Sequence, residues 1–192
     1  MPRANLTEHI VLKAALALAD REGLDAVTMT AVARHFGVQP ASLYEHVRGL
    51  AALMDGIQRL AFDELGALVG AGVAGLSAKA ALRALADVHR SYALDHPGAW
   101  AALQRPATTE IAQSPEAARI ATLLLAVIRG YAIPAKDLVH ASRLVGATIN
   151  GFLALTRTEA YSHRADDTNE SWAAAVNALD RALTSWPTEG TS

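Results

Sequence analysis

GVQPASLYEHV, residues 37–47, lies between two apolar helical patterns, and its reading decides the fold. Just upstream, Val32, Ala33 and Phe36 form the inner face of a short helix over 29–36, with Thr28 as N-cap. Gly37 stops that helix, Val38 plugs the core, and Pro40 suits the first turn of another helix. This next helix, over 40–46, turns Leu43 and Val47 inward and leaves Ala41, Ser42, Tyr44, Glu45 and His46 outward. A tight glycine turn joining two short helices is the helix-turn-helix pattern, whose second helix can enter a DNA major groove. Taken alone, Tyr44 suits capping the small core; within these eleven residues, contact with DNA is the stronger reading.

Composition points to an all-α chain. Of 192 residues 52% are hydrophobic, many of them alanine, and 5% are aromatic. Alanine favours helix, and β-branched runs are scarce. The absence of cysteine excludes disulfides and cysteine-bearing metal sites. No apolar run reaches the roughly 18 residues that span a membrane, and MPRANLTEHI lacks a signal peptide's apolar block. A cytoplasmic protein with no membrane partner is expected. The formal net charge is −2, and the first 50 residues balance five basic side chains (Arg3, Lys13, Arg21, Arg34, Arg48) against five acidic ones. Charge therefore gives DNA binding no support, and geometry must carry it. His89 and His96 share a helical face without an HExxH-like pair, and no GxSxG elbow occurs. No metal, no cofactor and no enzymatic activity are expected.

About nine helices and no strands are expected. The first runs from Leu6 to Glu22, with Asn5 and Glu8 at capping-box spacing and Ile10, Ala14 and Leu18, with Val11 and Ala15 beside them, as its apolar stripe. A fourth helix covers 50–69, with GAGVAG (70–75) as a flexible joint. Further helices follow over 77–95, 99–104, 114–130 and 135–158, with RPATTEIAQSP (105–115) and SHRADDTN (162–169) as loops. Last, Trp172, Val176, Leu179, Leu183 and Trp186 repeat at coiled-coil spacing.

Gly23–Val47, GLDAVTMTAVARHFGVQPASLYEHV, resembles the DNA-binding region of tetracycline-repressor (TetR)-type regulators. The resemblance rests on Gly23, the Val-Thr before the second helix, Ala33, the Gly37-Val38 turn and the Ser-Leu-Tyr-x-His-Val third helix. YALDHPGAW (92–100) is similar to the start of one TetR-type effector domain. The resemblance implies a helix-turn-helix DNA-binding domain over 1–48 and a helical-bundle effector-binding and dimerisation domain over 49–187, followed by a tail, 188–192. It implies that Thr28, Tyr44 and His46 meet phosphates, that Thr30 faces the groove, and that Gln39, Pro40, Ala41 and Ser42 lead the recognition helix. Where the family has a lysine this chain has Leu50, with Arg48 as the available substitute. The implied partners are a double-stranded DNA operator, a small, largely apolar effector and a second copy of the chain, with repression the expected action. A helical ligand-binding or protein-interaction dimer without specific DNA binding is the alternative.

Effector contacts are expected at Met54, Tyr92, His96, Trp100, Ile128, Tyr131 and Asn150. The large side chains among them suit core packing equally well, and Asn150 in an apolar run needs hydrogen-bonding partners. The dimer interface is expected at Gly146 and Ile149, with the seam of Trp172, Val176, Leu179 and Leu183 packing against the 135–158 helix and its copy from a second subunit.

Overall fold

The computed structural model describes residues 6–163 and 167–187. Among these are ten α-helices, two short 3-10 turns and no strand. The helices are α1 (Glu8–Glu22), α2 (Met29–Phe36), α3 (Pro40–Leu43), α4 (Leu50–Val73), α5 (Ala78–Asp95), α6 (Pro97–Leu103), α7 (Thr109–Ala112), α8 (Pro115–Ile128), α9 (Leu138–Arg157) and α10 (Thr168–Thr184). One more helix appears than expected. The segment 105–115 holds α7, capped by Thr108, whose hydroxyl accepts from the Ile111 N–H, and anchored by fully buried Ile111. The Asn5 cap and the 188–192 tail lie outside the described residues, as do 164–166 of the polar loop.

Two compact units divide the described residues, 1–66 with 92–119 and 67–91 with 120–192. This division differs from the expected boundary at 48/49, because α6 belongs with α1. In the first unit Thr7 starts α1 by accepting from the Ile10 N–H. The buried face of α1 is Val11, Leu12, Ala15, Leu16, Leu18 and Ala19, whereas Ile10 is 41% exposed. Asp20 on the same helix caps α6: Oδ1 accepts from the Gly98 N–H at 2.8 Å and the Ala99 N–H at 2.9 Å. Its Oδ2 lies 3.1 Å from Nδ1 of His96. Gly98 is required there, since a Cβ would fall 2.1 Å from the carbonyl carbon of Ala19.

The buried stripe of α4 is Leu53, Ile57, Ala61, Leu65 and Val69, one residue every four, while Leu50 and Leu68 are exposed. Next to it runs a stripe of alternating charge. Asp55, Arg59 and Asp63 pair with Arg105, Glu110 and Arg119 at 3.9, 2.8 and 3.6 Å. Buried Gln58 donates to the Arg105 carbonyl at 3.1 Å. The expected joint is helical as far as Val73, because Gly72 packs against α5, where a Cβ would lie 2.9 Å from Cγ2 of Val88.

In the second unit α10 lays its seam on the chain's own helices. Trp172, Val176, Leu179 and Leu183 are all buried. The Trp172 indole N–H donates to Oδ1 of Asp87 at 2.8 Å, and its ring meets Phe152 at 5.2 Å. The seam therefore packs on the chain's own helices, α9 among them. Ile149 is likewise buried, while Gly146 is partly so.

Candidate nucleic-acid interface and ligand cavity

Local stereochemistry builds the turn between α2 and α3. Thr28 accepts from the Ala31 N–H at 3.0 Å, so its hydroxyl hydrogen remains able to donate outward. Gly37 takes φ +65°, a left-handed conformation that costs glycine little, and the Val38 N–H closes the turn on the Ala33 carbonyl at 3.1 Å. Pro40 then starts α3. That helix ends at Leu43 rather than near His46: the Tyr44 and His46 N–H groups bond three residues back, to Ala41 and Leu43, tightening the last turn.

The result is a polar ridge facing solvent. Thr28, Thr30, Gln39, Ala41, Ser42 and Arg48 are exposed, Tyr44 is 56% exposed, and Pro40 and His46 are half-buried. Among the described residues, none hydrogen-bonds or ion-pairs with the side chains of Gln39, Ser42, Tyr44 or Arg48. Val32, Ala33, Leu43 and Val47, by contrast, are almost fully buried and fix the ridge from beneath. The ridge offers hydroxyl, amide, phenol and guanidinium donors, the set that grips phosphate oxygens and base edges. Leu50, the first residue of α4, is 45% exposed beside it. Replacing it with lysine puts a cation at a helix N-terminus next to the ridge. Leu50→Lys is expected to tighten duplex binding a fewfold at low salt and to steepen its salt dependence by about one phosphate contact, read from a fluorescence titration.

The second unit holds a small cavity of about 30 Å³. Its walls are Val69, Leu85, Ile120, Leu124, Val145 and Ile149, with His89, Gly146 and Asn150 completing the lining. Nδ1 of His89 lies 2.7 Å from the Leu85 carbonyl, which only accepts, so this nitrogen carries the proton. Burial pushes the His89 pKa below its ordinary 6.5, against a smaller upward effect of the Leu85 bond, and the ring is neutral at pH 7. The unfolded chain therefore binds this proton more readily than the folded one, and stability falls as pH drops below the ordinary histidine range. Between pH 7 and pH 5 the melting temperature is expected to fall further in the wild-type protein than in a His89→Phe variant, measured by circular dichroism.

Of the residues expected to hold an effector, Asn150 lines this cavity. Ile128 is buried, and the Tyr131 hydroxyl donates to Asp180 at 2.9 Å, which with burial raises its pKa. Met54, Tyr92, His96 and Trp100 lie in the other unit. There Trp100 is packed at 2% exposure, His96 pairs with Asp20, and the Tyr92 hydroxyl donates to Glu64 at 3.1 Å. Size alone drew attention to these aromatic residues, and each has a structural partner. The aliphatic residues lining the cavity look like ordinary core positions in the sequence, and His89 lacks the spacing of a metal ligand pair. Gly146 and Ile149, expected at a subunit interface, line the cavity.

Residues 82–179 match the C-terminal domain of tetracyclin-repressor-like proteins, and residues 11–57 match the tetR family of bacterial regulatory proteins. The chain belongs to the TetR family. The Bacillus subtilis HTH-type transcriptional regulator YobS is 30% identical over 86% of both chains. Among solved structures, Mycobacterium smegmatis BioQ superimposes with a TM-score of 0.73 at 21% identity, covering 93% of this chain and 98% of BioQ. BioQ with its double-stranded DNA operator gives 0.65 at 22% identity, covering 94% and 99%. Streptomyces coelicolor ActR in complex with (S)-DNPA gives 0.69 at 18% identity, covering 94% and 98%. TetR-family proteins are transcriptional regulators rather than enzymes, and the all-α architecture with an N-terminal DNA-binding domain is this family's.

Proposed function

We propose that this TetR-family protein is a cytoplasmic repressor that binds a pseudo-palindromic operator as a homodimer and is released by a small, largely apolar effector. The observation that carries the reading is the ridge of exposed, unpartnered donors on the rigid turn at 37–48. BioQ with its DNA operator and ActR with its ligand support both halves of it by likeness. Two such ridges would enter successive major grooves roughly 34–36 Å apart.

A second copy accounts for the surface of α9. The segment Ala135–Arg157 is long and apolar enough to cross a membrane by length and composition, with a mean hydropathy of 1.3 over its most apolar 18 residues. Only 22% of its most apolar stretch is buried. Val139, Leu144, Ala147, Gly151 and Leu155 are exposed on it, as are Ala174, Ala178 and Ala182 on α10. Small side chains on both helices suit close packing of a two-fold four-helix interface, and the exposed Arg143 and His140 argue against lipid. The effector would act through α4, which contributes Val69 to the cavity wall and begins at Leu50 beside the ridge. For release, the effector must bind the DNA-free state more tightly than the DNA-bound one.

Exposed Leu50 and the balanced charge of the N-terminal segment favour the second reading, a ligand-binding dimer without DNA affinity. Titration of a duplex of arbitrary sequence at several salt concentrations separates the two. Binding whose logarithm falls linearly with the logarithm of salt supports the regulator. Absence of binding at low salt supports the DNA-silent dimer.

A further inference from the structure

Resting on the reading of the cavity as the effector site, we infer that the effector is an uncharged molecule, an apolar body ending in a hydroxyl or phenol held between His89 and Asn150. The lining contains no Lys, Arg, Asp or Glu. A carboxylate or ammonium placed there would lose its water without gaining a counter-ion. Nor does His89 supply one, since its ring is buried and its Nδ1 proton is committed to the Leu85 carbonyl. In that tautomer Nε2 can only accept, so the group it recognises must donate.

Asn150 of α9 also lines the cavity and offers both a carbonyl and an amino group. His89 and Asn150 both have further partners within the protein, with which the ligand competes. A hydroxyl suits this site because it donates and accepts at once. An ether or ketone can only accept and cannot satisfy Nε2. The 30 Å³ of open space matches the polar end alone, about the room a water needs. The apolar body enters by parting the walls, where Ile120 and Leu124 of α8 are only half-buried. On the α9 side Gly146 leaves the wall thin, as a Cβ there would meet nothing within 4 Å.

The test titrates the purified full chain with 2-phenylethanol, ethylbenzene and phenylacetate, following melting temperature and the imidazole resonances of His89. The expected order is 2-phenylethanol binding about tenfold more tightly than ethylbenzene, with phenylacetate not binding and the His89 ring shifting only with the alcohol. His89→Phe should erase the alcohol's advantage while leaving ethylbenzene bound. Phenylacetate binding best, equal binding of all three, or no shift of the His89 ring with any of them overturns the inference. Should His89→Phe fail to fold, the ranking and ring shifts in the unsubstituted protein decide. Alcohol binding that leaves DNA affinity unchanged supports the ligand class and contradicts only the effector role of the cavity.

Discussion

Gly98→Ala lowers the melting temperature by about 6–12 °C, the largest stability effect expected from adding a single methyl group. A Cβ at this position would lie 2.1 Å from the carbonyl carbon, 2.3 Å from the carbonyl oxygen of Ala19 and 2.4 Å from the Asp20 nitrogen. All three are backbone atoms of α1, so no side chain can swing aside. Helix α6 must back away, and the bonds of 2.8 and 2.9 Å from Gly98 and Ala99 to the Asp20 carboxylate lengthen with it. Overpacking and weakened charge-assisted hydrogen bonds together cost about 3 kcal/mol, which in a chain of this size corresponds to about 6–12 °C. Gly146→Ala is the control. A Cβ there meets nothing within 4 Å, and alanine favours helix, so its melting temperature should hold or rise. Equal behaviour of the two variants in thermal unfolding would remove the α1–α6 contact from the account.

Tyr44→Ala has the largest effect expected on DNA. Its ring is 56% exposed and no described residue hydrogen-bonds its hydroxyl, so the substitution should leave helicity, melting temperature and dimerisation within error. A hydroxyl donating to a phosphate is a hydrogen bond to a charged group, about 1.5–3 kcal/mol, and its loss weakens binding by about ten- to a hundredfold. The loss should be similar for every duplex tested, since a phosphate contact positions the protein without reading sequence. Unchanged affinity in a fluorescence titration would mean that DNA does not dock on this turn.

The parts of the molecule that local chemistry determines were legible in the sequence. Thr28 caps α2, Gly37 takes a positive φ and Pro40 starts α3, each through bonds reaching no further than a few residues. The whole docking ridge follows from those three positions and the buried Val32, Leu43 and Val47. Phase was harder to read. A four-residue repeat drifts about 40° per step around an α-helix, so within the expected stripe of α1 Val11, Ala15 and Leu18 are buried while Ile10 turns outward. Glycines were ambiguous because their role lies in another part of the chain. Gly72 reads as a flexible joint until Val88 is seen beside it, and Gly98 reads as a helix breaker until α1 lies against it.

Periodicity on α10 correctly marked Trp172, Val176, Leu179 and Leu183 as a packed face. The expected packing on the 135–158 helix is seen where the Trp172 ring meets Phe152 of α9. The cavity was least legible. Most of its walls are aliphatic residues indistinguishable in sequence from any core; Asn150 stood out in its apolar run, whereas the character of His89 depends on a carbonyl a helical turn away and on burial.

Selection of bound sequences from a random duplex pool by the purified protein tests the central claim most directly. The account predicts enrichment of an inverted repeat with half-site centres about one helical turn apart. Tyr44→Ala should select the same repeat but bind it about ten- to a hundredfold more weakly. No enriched sequence from a folded, dimeric preparation would contradict the regulator reading and leave the ridge at 37–48 without a nucleic-acid partner.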